Sequence, residues 1–154
     1  MTDLPLLAKL EREFWRDIRE IVLKENPKMK PYLQPSPGRD RIIAKWMRNW
    51  IRSRNARVFI TEIGAKPAGF SVAFIQHTPG PFLPKRFGFI GYVFVKHQYR
   101  GQRVGSLMMK ETLLWFEKRR IEHVGLTVIA DNRPARAIWD KMGFHDFNVF
   151  KWKL

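Results

Sequence analysis

The most constraining stretch of the chain runs from Phe87 to Ser106. Phe87 to Val95 is almost wholly apolar or glycine, the composition of a strand covered on both faces. Beyond it, Val104, Leu107, Met108, Leu114 and Trp115 recur at helical spacing, and Lys96-His97-Gln98-Tyr99-Arg100-Gly101-Gln102-Arg103 lies between. The reading is strand, tight turn, helix. Such a junction leaves the first N–H groups of the helix without acceptors and aims the positive end of its dipole at whatever lies in front. Gly101 and Gly105 let backbone come close, and Arg100 and Arg103 add charge. Together they describe a pocket for a phosphate or pyrophosphate. Neither the Walker spacing nor the dinucleotide Gly-x-Gly-x-x-Gly is present.

Arg100-Gly101-Gln102-Arg103-Val104-Gly105 instead resembles the acyl-CoA pyrophosphate loop of the GNAT (Gcn5-related) N-acetyltransferases, Arg/Gln-x-x-Gly-x-Gly/Ala, with Arg103 where the middle glycine usually stands. A second segment, Asn132-Arg133-Pro134-Ala135-Arg136-Ala137-Ile138-Trp139-Asp140-Lys141-Met142-Gly143-Phe144, resembles the family's Asn-x-x-Ala-x-x-x-Tyr-x-x-x-Gly-Phe. The two stand in family order with a strand and helix between them, and the resemblance covers residues 57–154. It implies a single acetyltransferase domain over residues 1–154. The implied fold is α/β, a mixed sheet of about six strands flanked by helices on both faces. The family opens with a strand before its first helix; here there is no room for one, so it is either lost or outside the chain.

The remaining segments read as αα-β-β-β-α-β-α-β. Thr2 or Asp3 can cap a helix whose apolar stripe is Leu7, Leu10, Phe14, Ile18 and Ile21, with Glu11, Arg12, Arg16, Arg19 and Glu20 outside it, ending near Asn26-Pro27. Residues 27–40 form a proline-rich loop, followed by a helix from about Arg39 to Asn55 in which Trp46 and Trp50 read as core. Arg57–Ile63 and Ala68–His77 make a hairpin, and residues 78–84 a proline-broken loop. The helix after the turn runs to about Arg120; a strand follows over 124–129, then a short helix closed by Gly143, then a strand over 144–152.

Composition narrows the chemistry. At 154 residues, 45% apolar, with twelve Phe and six Trp, the chain supports one domain with its own core and is not disordered. With no cysteine there is no disulfide, thiolate site or cysteine nucleophile, and four scattered histidines offer no metal spacing, so no metal is expected. No apolar block has the length of a signal peptide or membrane span, which reads as a cytoplasmic protein without a membrane partner. The net charge of +15 raises nucleic acid or the ribosome as partners. The basic residues are dispersed through nearly every segment, however, so solubility and attraction of the CoA phosphates explain them as well.

The resemblance implies acetyl transfer from acetyl-CoA, as co-substrate, to a primary amine. Backbone N–H groups of Gln102, Arg103, Val104, Gly105 and Ser106 would meet the pyrophosphate, with Arg100 adding charge. Phe94, Val95 and Lys96 would pair with the pantetheine arm, and a backbone N–H near Val95 would stabilise the oxyanion. Asn132 matches the residue that hydrogen-bonds the arm, and is equally a helix cap. Arg133 and Arg136 are either phosphate ligands or a solvated face. Trp139 occupies the position of the tyrosine that protonates the leaving thiolate, and an indole N–H is no acid near neutral pH. The central strand carries no carboxylate, so Tyr92 is the first base to test, with Glu62, His77, His97 or a water chain as alternatives. The acceptor stays open between small molecule and protein, although a basic surface does not steer polycations such as aminoglycosides or polyamines. A homodimer is left open. The competing readings are an acyl-CoA-binding regulatory module without turnover, suggested by Trp139, and a nucleic-acid- or ribosome-associated protein, suggested by charge.

Overall fold

Leucine spacing and a proline stop define the first helix. In the computed structural model, which describes residues 4–78, 81, 84–148 and 151, helix α1 spans Leu4–Glu25 and gives way at Asn26-Pro27. The Thr2 or Asp3 cap expected for it lies outside the described residues, and no strand precedes α1 within them. Leu7, Leu10 and Val22 are fully buried. So is Glu11, which the stripe had left facing solvent. It stands four residues after Leu7 and three before Phe14, inside the buried arc. The expected loop after α1 is partly a 3-10 helix, Pro27–Leu33, consistent with the φ that Pro27 and Pro31 impose. Helix α2, Arg39–Arg52, buries Ile43 and Met47. Trp50, seven residues after Ile43, returns to that face and meets Phe74 edge-on at 5.7 Å. Trp46 falls to its side and is 47% exposed, which corrects the core reading of this residue.

The chain falls into two compact units, Met1–Phe14 with Gly38–Thr127, and Trp15–Pro37 with Val128–Leu154. The first holds the sheet. Its strands are β1 (Ala56–Ile63), β2 (Lys66–His77), β3 (Arg86–Val95) and β4 (Val124–Leu126), in the order β1-β2-β3-β4. The first two pairings are antiparallel; β4 joins β3 in parallel after the crossover helix α3, Val104–Glu117. The mixed sheet is as expected, with four strands among the described residues: the strand expected over 124–129 is shortened to Val124–Leu126, and 144–148 form no ladder. Part of that last expected strand, and most of the loop over 78–84, lie outside the described residues.

Helices cover both faces of this sheet. On one side Leu7, Leu10, Ile43 and Met47 pack against Phe70, Val72 and Phe94; each such buried side chain contributes about 1.5–3 kcal/mol. On the other lies α3. Ser71 and Thr112 share a buried hydroxyl hydrogen bond of 2.9 Å there, and the Phe116 ring approaches Gly88 so closely that a Cβ would stand 2.7 Å from it. α3 ends at Glu117, short of the expected Arg120, which turns with φ 57°.

In the second unit, α4 (Arg133–Lys141) begins at Asn132 and ends before Gly143, whose φ of 84° fits the expected terminator. Asn26 donates from Nδ2 to Asp131 Oδ2 at 3.0 Å, and Arg133 pairs with Glu25 at 3.3 Å, tying the loop before α4 to the end of α1.

Candidate functional site

The site is organised by an irregularity in β3. Val72 pairs with Tyr92 and Ala73 with Ile90, so Gly91 is an extra residue, a β-bulge. A side chain there would meet the Phe74 ring at 2.5 Å, which explains the glycine. The parallel ladder to β4 covers only Gly88, Phe89 and Ile90. From the bulge to Val95, no strand among the described residues pairs with that side of β3. Lys96 donates its N–H to Ala68 of β2 at 2.8 Å. Because successive residues alternate, the N–H and C=O of Val95 face away from β2, toward the open edge.

The turn that follows is held locally. Tyr99 donates to Lys96 O at 2.9 Å, Arg100 Nε to Val95 O at 2.9 Å, and Gln102 Nε2 to Gln98 O at 3.0 Å. Arg103 is the N-cap of α3 with φ 62° and ψ 7°, the left-handed conformation that glycine adopts freely and other residues adopt at a cost of about 1–2 kcal/mol. The position that departs from the family's glycine therefore keeps the glycine backbone. Among the described residues no side chain caps α3, so the N–H groups of Val104, Gly105 and Ser106 have there neither an intrahelical acceptor nor a capping oxygen. Gly105 lies against the strand end, where a Cβ would make ordinary contact, 3.6 Å from Val95 Cγ2. Uncapped amides and open strand edge are thus neighbours.

The other sequence-derived residues are placed as follows. Phe94 is buried, facing Phe14 and Phe70 in the core, so only its backbone belongs to the edge. Tyr92 is half-buried against Phe14 and Trp50, each at 5.2 Å between ring centres. Two alternative bases stand elsewhere, Glu62 exposed on the outer strand β1 and His77 at the far end of the β2–β3 pairing opposite Arg86, whereas His97 is exposed in the turn itself. In the second unit, Asn132 Oδ1 accepts from Ala135 N–H at 3.3 Å, the cap expected of it. Arg136 pairs with Asp146 at 2.8 Å, and Trp139 meets Phe144 edge-on at 5.7 Å. Among the described residues, no three His, Asp or Glu gather as a metal set.

Two carboxylates escaped the sequence reading. Glu13 Oε2 lies 3.9 Å from Lys96 Nζ, both side chains about one-fifth exposed, so a carboxylate stands beside the strand end after all. Nothing in the sequence joins residues so far apart. Glu11, fully buried, accepts a 2.5 Å hydrogen bond from Arg39, while its Oε2 has no hydrogen-bond partner among the described residues. Here the spacing from Leu7 was a usable signal. Burial opposes the charge of Arg39, but the hydrogen bond to Glu11 and its charge, helped by Asp40, outweigh this and raise the guanidinium above its ordinary value. That raised value stabilises the fold at every pH below the ordinary arginine range, so Arg39 introduces no titration near neutrality.

The bulge at Gly91, the parallel ladder that stops at Ile90 and the uncapped start of α3 together frame the turn. The profile of the Acetyltransferase (GNAT) family matches residues 15–144, and the chain belongs to that family. An uncharacterised N-acetyltransferase of Methanocaldococcus jannaschii is 27% identical over 109 residues, 70% of this chain and 48% of that protein; the chain thus spans about half the length of this relative. Among solved structures, a tetramutant of the BH1408 protein from Bacillus halodurans superposes with a TM-score of 0.80 at 15% identity, over 99% of this chain and 95% of that one. AAC(6')-Iy, an aminoglycoside N-acetyltransferase solved with the bisubstrate analogue CoA-S-monomethyl-acetylneamine, gives 0.74 at 13% identity, over 100% and 92%.

Proposed function

We propose that this chain is an acetyl-CoA-dependent N-acetyltransferase, with residues 1–154 as one catalytic domain, which moves the acetyl group to a primary amine by direct attack in a ternary complex. The observation that carries the reading is the uncapped start of α3 beside the unpaired edge of β3. Amides of Val104, Gly105 and Ser106 are oriented for a diphosphate, and their dipole favours its charge. The Val95 N–H, on the free side of the strand, is available to the thioester oxygen as it becomes an oxyanion, a contribution of about 3–4 kcal/mol in comparable sites. Arg100 holds the Val95 carbonyl, in the peptide that follows the proposed donor. Asn132, which caps α4, is the residue that the family resemblance assigns to the pantetheine arm. Family membership and the bisubstrate complex of AAC(6')-Iy support acetyl-CoA as the donor.

The amine attacks the carbonyl carbon, the C–S bond breaks, and the amine proton and leaving thiolate must both be served. Tyr92 is the residue to test first for the proton. Trp139 supplies no acid, so the thiolate, with a pKa of about 8.5, would leave without a proton from that position.

Calorimetry should find micromolar acetyl-CoA binding, and an amine panel should release free thiol. Absence of any CoA binding would end this reading. A second reading, an acyl-CoA-binding regulatory module without turnover, is favoured by Trp139 alone. It predicts binding with no thiol release across the same panel.

A further inference from the structure

The six basic residues from Arg41 to Arg57 are not scattered once the chain is folded. Residues 41–61 contain Arg41, Lys45, Arg48, Arg52, Arg54 and Arg57 and no Asp or Glu. All six are exposed, and among the described residues none makes an ion pair. Arg41, Lys45, Arg48 and Arg52 recur at helical spacing, one row along the outer face of α2 about 16 Å long. Past the end of α2 the row meets another group. Arg119 donates to the Arg54 carbonyl at 2.8 Å and lies over the Trp115 ring at 4.8 Å, with exposed Lys118 and Arg120 on either side. Exposed Glu117 and Glu122 border this second group, but no acid interrupts the first.

Beside the row stand exposed Ile42 and Trp46, the latter 47% accessible. We propose that this face of α2 binds single-stranded nucleic acid, the cations following its phosphates and Trp46 offering a ring to an unpaired base. Cations in line with an exposed aromatic are what sequence-tolerant single-strand recognition requires, since every base has a face to stack. A lipid surface fits less well. An interfacial helix needs a free apolar face, whereas Ile43, Met47 and Trp50 of α2 are taken by the protein's own core. The row continues to the C-terminal end of α3, and the phosphate-binding turn is at its N-terminal end, about 20 Å away along the helix. The Arg52–Arg54 end of the row is thus remote from the turn proposed to hold acetyl-CoA, and RNA binding is read without reference to that site.

Fluorescence anisotropy of the full chain with a labelled single-stranded RNA of mixed sequence, about a dozen nucleotides long, tests this. Four phosphate contacts predict affinity falling about fiftyfold between about 50 and 200 mM salt. R48E/R52E should bind more than about tenfold more weakly, R48Q/R52Q should fall between it and the wild type, and W46A should lose about fivefold or more. K28E/K30E, the same charge change on the 3-10 helix, should stay within about twofold. Circular dichroism certifies each fold, and acetyl-CoA titration of R48E/R52E should match the wild type. Absent or salt-insensitive RNA binding overturns the proposal. So does an equal loss in K28E/K30E, which would mean net charge alone, or stronger binding to phosphatidylserine vesicles than to RNA. Failure of acetyl-CoA to bind any form would strike the acetyltransferase reading and leave the RNA result standing.

Discussion

The two segments that carry the family signature, Arg100–Ser106 and Asn132–Phe144, each depart from it at one position, and they depart in different currencies. At Arg103 the fold keeps the left-handed backbone of the missing glycine, so the substitution is charged against stability and leaves the cradle of amides in place. At Trp139 the helix is undisturbed: its cap, its terminator and the ring contact with Phe144 are all present. What is lost there is an acidic proton. A glycine position is a statement about backbone, a tyrosine position a statement about chemistry, and a fold tolerates replacement of either for different reasons.

Substitutions can break or sharpen that contrast. Gly105→Val should have the largest effect, weakening acetyl-CoA binding more than about tenfold with little change in melting temperature, because a Cβ is accommodated against Val95 and a branched side chain would crowd the amides proposed for the diphosphate. Equal loss from Lys110→Ala would remove the special role of the turn. Trp139→Tyr should next raise the thiol-release rate by about tenfold or more while acetyl-CoA affinity holds steady, since general-acid help is worth at least that; an unchanged rate would show that departure of the thiolate is not limiting. Arg103→Gly should stabilise the fold by about 0.5–1 kcal/mol, the relieved backbone strain less the extra freedom of glycine in the unfolded chain, seen as a rise of about 1–4 °C in melting temperature. A fall would mean that its side chain outweighs its backbone strain. Smallest of all, Arg136→Ala should change acetyl-CoA affinity by less than about threefold, because the guanidinium already pairs with exposed Asp146.

The elements written in local pattern were legible. The apolar run to Val95, the glycine-bearing turn and the helix after it were recovered as a unit because strand, turn and helix preferences all agree there. So was the cap at Asn132. What escaped depended on distant partners or on what a sequence cannot align. Glu11 reads as polar and therefore outward, yet Arg39 arrives to accompany it inside. Trp46 reads as apolar and therefore inward, yet the face is already filled by Ile43, Met47 and Trp50. The bulge at Gly91 has no signature beyond the glycine itself, and it governs which way each later residue of β3 points. The pairing of Lys96 with Glu13 likewise needs the fold to bring α1 across the sheet.

The half-finished ladder of β3 carries a further consequence. Unsatisfied peptide groups along a strand invite a second molecule to dock its own strand there, the first step of edge-to-edge aggregation. Here Arg100 occupies the carbonyl of Val95 and Lys96 places a cation at the end of the strand, both of which discourage such visitors. A substrate arm lying along the same edge would complete the protection, so the protein should stay monodisperse longer during storage with acetyl-CoA, the proposed donor, than without it.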